Sequence, residues 1–228
     1  MNYATISADV ISYTSLLEDE KRLLEIGIKA LLTDLTKKYE EHAFYGRLVQ
    51  GDYIECALKS PKHALRIALL LKTFVKTYHF NKKKEKDNRL KYFYDHGIRL
   101  AVAIASLEKL DPENGVIDGD AIYLSGRAIK NISTSDKEKI VIKNTMFFCT
   151  SDKRLQAQFT TIFSLIDTIV SKCSAKQSEI VYYKLLGFSE REISEKLEKY
   201  QSTISQHSTA AGWLSIEKAV TYFENTMQ

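Results

Sequence analysis

The stretch FYGRLVQGDYIECALK, Phe44–Lys59, holds two short apolar runs, FYGRLVQ and YIECALK, separated by the pair Gly51 and Asp52. Gly-containing two-residue turns match the twist of paired strands, so this reads as a β-hairpin with a carboxylate at its tip. Upstream, TISADVI (Thr5–Ile11) is apolar and β-branched, as a buried strand is, and it carries Asp9 at its end. Between them Leu23, Ile26, Leu31, Leu35 and Tyr39 recur at helical spacing among Lys and Glu, which predicts an amphipathic helix over Asp19–Tyr39. Downstream, Pro61 opens a second helix, where its missing N–H costs nothing, and ALRIALLLKTFV supplies the apolar face.

The charged run NKKKEKDNR, Asn81–Arg89, lacks apolar anchors and reads as a solvated loop. After it come a buried strand at IRLAVAIA, the turn DPENG, a helix at AIYLSGRAIKNI and a strand at KIVIK. The order predicts an α+β fold of the ferredoxin-like kind, a mainly antiparallel sheet with helices on one face. Leu155, Phe159, Ile162, Phe163, Ile166, Ile169 and Val170 form a further helical stripe, followed by short helices. With no Pro-rich or Gly/Ser-rich linker, a helix is expected to join a domain of residues 1–153 to a helical unit of 154–228.

In that second unit Ser189 and Glu192 have capping-box spacing, which starts a helix carrying Ile193 and Leu197. The interval EKY follows, and a second helix, Gln201–Ala211, turns Ile204 inward. This is helix-turn-helix spacing. Ser178–Leu186 is expected to supply the first layer of its core, and Trp213, Ile216 and Val220 the closing one. Gln201, Ser202, Thr203, Ser205, Gln206 and His207 then line the outer side of the second helix. Their short or amide side chains suit base edges and phosphates of double-stranded DNA. The alternative is a helical hairpin used for docking, since Val170–Gln228 carries seven Lys/Arg and seven Asp/Glu, a net charge of zero.

A formal charge of +4 over 228 residues permits nucleic acid or nucleotide partners without arguing for them. Cys56, Cys149 and Cys173 are scattered, which suggests neither a disulfide framework nor a thiolate zinc site. The start MNYATISADV lacks signal-peptide features and no stretch has the apolar length to span a bilayer, so a cytoplasmic protein with no membrane partner is expected. No P-loop, dinucleotide or nucleophile-elbow motif occurs. The five histidines show no metal-ligand spacing. Asp9 and Asp52, placed side by side at one sheet edge, form a pair of oxygen donors suited to Mg²⁺ or Mn²⁺ and, through the ion, to nucleotide phosphates. Their bland readings are a turn cap for Asp9 and a common hairpin pair for Gly51-Asp52.

The segments ADVISYTSL, LVQGDYIECAL, GIRLAVAIA and GDAIYLSGRAI together resemble the catalytic domain of class III nucleotide cyclases over residues 3–145. The matches are to the D-[IV]-x-G-[FY]-[ST] strand end, the G-D hairpin and the helix N-x-x-x-R. The resemblance implies metal binding by Asp9 and Asp52, a phosphoryl-steadying role for Arg127, and work as a homodimer. Ser12 stands at the motif's Gly, Tyr123 at its ribose-orienting Asn, and Leu48 and Val116 at its purine-recognising positions. These departures remove base and ribose determinants and leave the metal pair. SEREISEKL and YQSTISQH are similar to the helix-turn-helix of bacterial regulators, with Glu198-Lys199 where such turns hold Gly. The combination resembles SatD-type bacterial proteins. It implies a transcription regulator whose first domain dimerises or senses a nucleotide, or else a metal-dependent nucleotidyl enzyme with an accessory domain.

Overall fold

A computed structural model describes residues 2–80, 88–134 and 144–228. The expected strand at KIVIK and most of the NKKKEKDNR loop lie outside the described residues. The chain is mixed α+β. Strand β1 (Asn2–Val10) leads through a left-handed Ser12 to helix α1 (Glu18–Lys38), and the hairpin β2 (Tyr45–Val49) and β3 (Tyr53–Leu58) follows. Its turn is one residue longer than expected, because Gln50 joins Gly51 at positive φ (53° and 83°) and leaves the strand. Pro61–His63 form a short 3₁₀ turn into α2 (Ala64–Thr77). Then come α3 (Asn88–His96), β4 (Ile98–Ser106), the small hairpin β5 (Lys109–Asp111) and β6 (Val116–Asp118), α4 (Asp120–Thr134), β7 (Met146–Thr150) and α5 (Lys153–Ser171).

The five-stranded sheet has the order β2-β3-β1-β4-β7, antiparallel except for the β4–β7 pair. Alternation along β1 sorts its two faces. Ala4, Ile6, Ala8 and Val10 enter the main core with Leu24 and Ile28 of α1 and the leucines of α2. Thr5 and Ser7 face the other way, and their hydroxyls meet Ser125 of α4 at 3.2 and 2.8 Å. Helices therefore cover both faces, where one was expected. Local periodicity gives each helix an apolar stripe but says nothing about which face of the sheet receives it.

Two further differences have local causes. On α1 the buried residues are Leu24, Ile28, Leu31, Leu32 and Leu35, whereas Leu23 and Ile26 are 57% and 56% exposed. Adjacent apolar residues offered two overlapping stripes, and contact with the sheet selected the one about 100° round. Helix α3 begins at Asn88, inside the charged run whose composition predicts a loop. Leu90, Phe93 and Tyr94, spaced i, i+3 and i+4, fasten it to the core.

Beyond α5 lie α6 (Ala175–Leu185), α7 (Glu190–Leu197), α8 (Gln201–Ala210) and α9 (Trp213–Thr226). Helix α2 is apolar on nearly every side because α6 and α9 cover it opposite the sheet, as an all-round hydrophobic helix requires. One core accordingly runs from β1 to Phe223 of α9. Ile216 and Val220 join this core rather than closing the α6–α7–α8 cluster, which is a correction to the expected layering. Arg66 of α2 grips Glu224 of α9 through both carboxylate oxygens, at 2.6 and 3.0 Å. Burial alone would raise the Glu224 carboxyl, but His63 and Arg66 outweigh it and pull it down to about 2. A depressed carboxylate pKa adds stability above its unfolded value and loses it as pH falls through the folded one. Acid titration of the intact chain from about pH 4.5 towards 2 is thus expected to lower its unfolding free energy, read by urea denaturation at each pH, and Glu224→Gln should remove the share of that fall owed to this carboxylate.

Candidate functional site

Asp9 is held between two neighbours, in register with Tyr53 of β3 on one side and Arg99 of β4 on the other. Just beyond it the Val10 N–H donates to the Asp52 carbonyl at 2.9 Å and the Ile11 N–H to the Gly97 carbonyl at 3.0 Å. These two bonds stitch the hairpin tip and the start of β4 to the end of β1. The structure therefore brings Asp9 and Asp52 to one edge, as the hairpin reading expected, and adds Arg99. Burial raises the Asp9 carboxyl above its usual range; Arg99 opposes the rise and the nearby Asp52 adds to it. Asp52 is raised as well, again by burial first, with its backbone hydrogen bond opposing and Glu25 contributing.

Charge is concentrated here without being fully satisfied. Arg99 Nε lies 4.0 Å from Asp9 Oδ1, too far for a hydrogen bond. Asp9 Oδ1, Arg99 Nε and Arg99 Nη1 are all buried with no hydrogen-bond partner among the described residues. Buried unpaired donors and acceptors are costly, so this edge is a place where a ligand gains by supplying partners. Glu25 and Tyr13 close one side: the Tyr13 hydroxyl donates to Glu25, and both sit over Gly51, where an added Cβ would come 2.7 Å from Glu25 Oε1. Sequence reasoning missed Arg99, Glu25 and Tyr13. For Arg99 a signal existed, since a lone charge in IRLAVAIA must face away from the core that its neighbours enter.

Two acidic ligands alone suit an ion that keeps waters and arrives with phosphate, as Mg²⁺ does, better than a dedicated protein cage. No group of three or more His, Cys, Asp or Glu side chains is placed to hold a metal among the described residues. Ser12, which stands at a glycine position of the cyclase pattern, adopts φ 57° and ψ 28°, a backbone region that favours glycine. Leu48 packs against the core and Val116 is half-buried in β6. Tyr123 is exposed and donates its hydroxyl to Asp118. Arg127, one turn further along α4, is exposed and makes no ion pair or hydrogen bond with Asp9 or Asp52.

The second cluster of expected site residues lies on α8. Ser189 caps α7 with reciprocal bonds to Glu192, as its spacing foretold. The turn into α8 is made by Glu198 in a left-handed conformation, followed by Lys199 and Tyr200. Ile193 and Ile204 pack on Ile180 of α6, flanked by Tyr183 and Leu197. With Ile204 and Ser208 turned in, Gln201, Ser202 and Gln206 are exposed, while Thr203, Ser205 and His207 are half-buried. Tyr200, which sequence reasoning left out, is 84% exposed at the start of the same helix.

No helix among the described residues is long and apolar enough to cross a membrane. No family model matches the chain, and no curated protein matches it. Among solved structures, that of a bacterial light-regulated adenylyl cyclase is similar over 64% of this chain and 74% of its own, at 11% identity and a TM-score of 0.44, a likeness too distant to bear on function.

Proposed function

We propose that the protein is a DNA-binding transcription regulator in which a cyclase-like, ferredoxin-like unit of residues 1–153 senses a metal-bound nucleotide and residues 154–228 read DNA through a helix-turn-helix. The observation that carries the sensing half is the convergence of Asp9, Asp52 and Arg99 on one sheet edge with unpartnered buried atoms on both the acid and the base. Mg²⁺ or Mn²⁺ takes the carboxylates and carries a nucleotide; the free donors of Arg99 take a phosphate oxygen. The strand order β2-β3-β1-β4 supports the ferredoxin-like reading. The reading half draws support from α8, which buries Ile204 and presents Gln201, Ser202 and Gln206 outward. A C-terminal unit without net charge gains affinity by presenting two α8 helices to two half-sites, so the regulator acts as a homodimer.

The sensing half is tested by thermal unfolding. Mn²⁺ with a nucleoside triphosphate at a hundredfold excess over its Kd adds about 2.7 kcal/mol, which raises the melting temperature by roughly 5–10 °C for a chain of this size. Asp9→Ala and Asp52→Ala are each expected to abolish the shift. A wild-type transition that no metal and no triphosphate moves would make the pair structural. A second reading, a metal-dependent nucleotidyl enzyme, is favoured by Arg127, whose exposed guanidinium on α4 is open to a phosphate. Formation of a cyclic or transferred nucleotide product during the same incubation would establish it in place of the sensor.

A further inference from the structure

Lys72 sits in the middle of α2 and is completely buried, the largest such side chain among the described residues. A lysine in that position has to find partners or destabilise the fold. Its ammonium donates to the carbonyl of His96 at 3.0 Å, the carbonyl of Ile98 at 2.9 Å and Thr145 Oγ1 at 2.7 Å, and it lies 3.4 Å from Asp167 Oδ1 on α5. Asp167 in turn accepts from the Thr145 hydroxyl at 2.6 Å and from the Thr145 N–H. The network is closed, with every proton of the ammonium used.

Its placement is more informative than its completeness. The β4–β7 ladder begins at Leu100, whose N–H donates to the Thr145 carbonyl at 2.8 Å. Two residues earlier the Thr145 N–H goes to Asp167 and not to Ile98, and Lys72 takes the Ile98 carbonyl together with the one at the end of α3. The two carbonyls flank Gly97, which turns the chain at φ 68° from α3 into β4. Arg99 follows directly. Lys72 therefore binds both carbonyls of the turn that leads into Arg99, whose Nε lies 4.0 Å from Asp9 Oδ1.

We infer that Lys72, held by Asp167 and Thr145, is a positioning residue for the ligand site at the sheet edge: it sets the entry of β4 and so the place of the Arg99 guanidinium opposite Asp9. This rests on the proposed phosphate-binding role of Arg99, and the test separates the two. The variant Lys72→Met/Asp167→Leu replaces the buried pair by apolar side chains of similar volume, an exchange that folds tolerate. Two quantities are read on the intact chain, with circular dichroism confirming the fold. The first is solvent exchange of the Arg99 Nε–H, assigned by its loss in Arg99→Gln. The second is the dissociation constant for inorganic tripolyphosphate in chelator-treated buffer.

Exchange at least tenfold faster and affinity about tenfold weaker are expected in the folded double variant. Thr145→Val, which removes one link and keeps both charges, should move both quantities in the same direction by at least threefold, and it decides the question if the double variant does not fold. Unchanged Nε–H exchange in a folded variant overturns the inference. A wild-type chain that does not bind tripolyphosphate contradicts the phosphate role of Arg99, and the exchange measurement then decides the role of Lys72 by itself.

Discussion

Lys72→Ala is expected to lower the unfolding free energy by about 3–5 kcal/mol, because it leaves Asp167 buried and without its countercharge. Asp167 is only 3% exposed as a side chain, and its carboxyl, which burial would raise, is held below its usual range by Lys72 and by two bonds from Thr145. Truncation also strips the carbonyls of His96 and Ile98 of a donor in the interior. Urea denaturation of wild type, Lys72→Ala and Lys72→Met/Asp167→Leu measures the effect. The double variant should recover the part of the loss that comes from the unpaired Asp167 charge, since desolvating an ion pair costs nearly what its attraction returns, while the carbonyls of His96 and Ile98 stay without their donor. A Lys72→Ala transition within about 1 kcal/mol of wild type would contradict the burial and pairing described above.

Ile204→Ala is expected to cost about 2–5 kcal/mol, the usual penalty for emptying a buried isoleucine site. Its cluster is small: Ile180, Ile193 and Ile204, with Tyr183 and Leu197 at the margin. Few neighbours can move in to fill the space, and none of these residues belongs to the main core. Hydrogen exchange should therefore show α7 and α8 opening first, while the β1 and β4 amides keep their protection. Equal loss of protection in β1 and α8 would mean that the small cluster and the sheet unfold as one unit.

What could be read in the sequence was local. The capping box of Ser189 and Glu192, the Gly51 turn and the apolar run of β4 each act within a few residues, and each is found where its pattern put it, the turn being longer by Gln50. The approach of Asp9 to Asp52 was also legible, since a strand end and a hairpin tip in a three-stranded arrangement fall at one edge. Partners far apart in the chain were not. Lys72 looks like a polar break in a leucine run, and its acceptors lie 24, 26 and 73 residues away. Arg99 meets Asp9 only through the β1–β4 register, which depends on the whole sheet. On α1, Leu23 and Ile26 carry the right composition on the wrong face, because two overlapping stripes are indistinguishable until a sheet packs against one of them.

DNA reading by α8 is tested most directly by selection from random DNA duplexes at low salt with the intact protein, with and without Mn²⁺ and a nucleoside triphosphate. A ligand-sensing DNA reader yields an enriched sequence whose affinity changes when the ligand is present. Gln206→Ala, which removes an exposed amide able to bridge adenine, is predicted to cost roughly 1–3 kcal/mol at that site and to relax its sequence preference. Recovery of no enriched sequence, together with unchanged weak binding by Gln206→Ala, would contradict DNA reading and leave α8 as a packing helix.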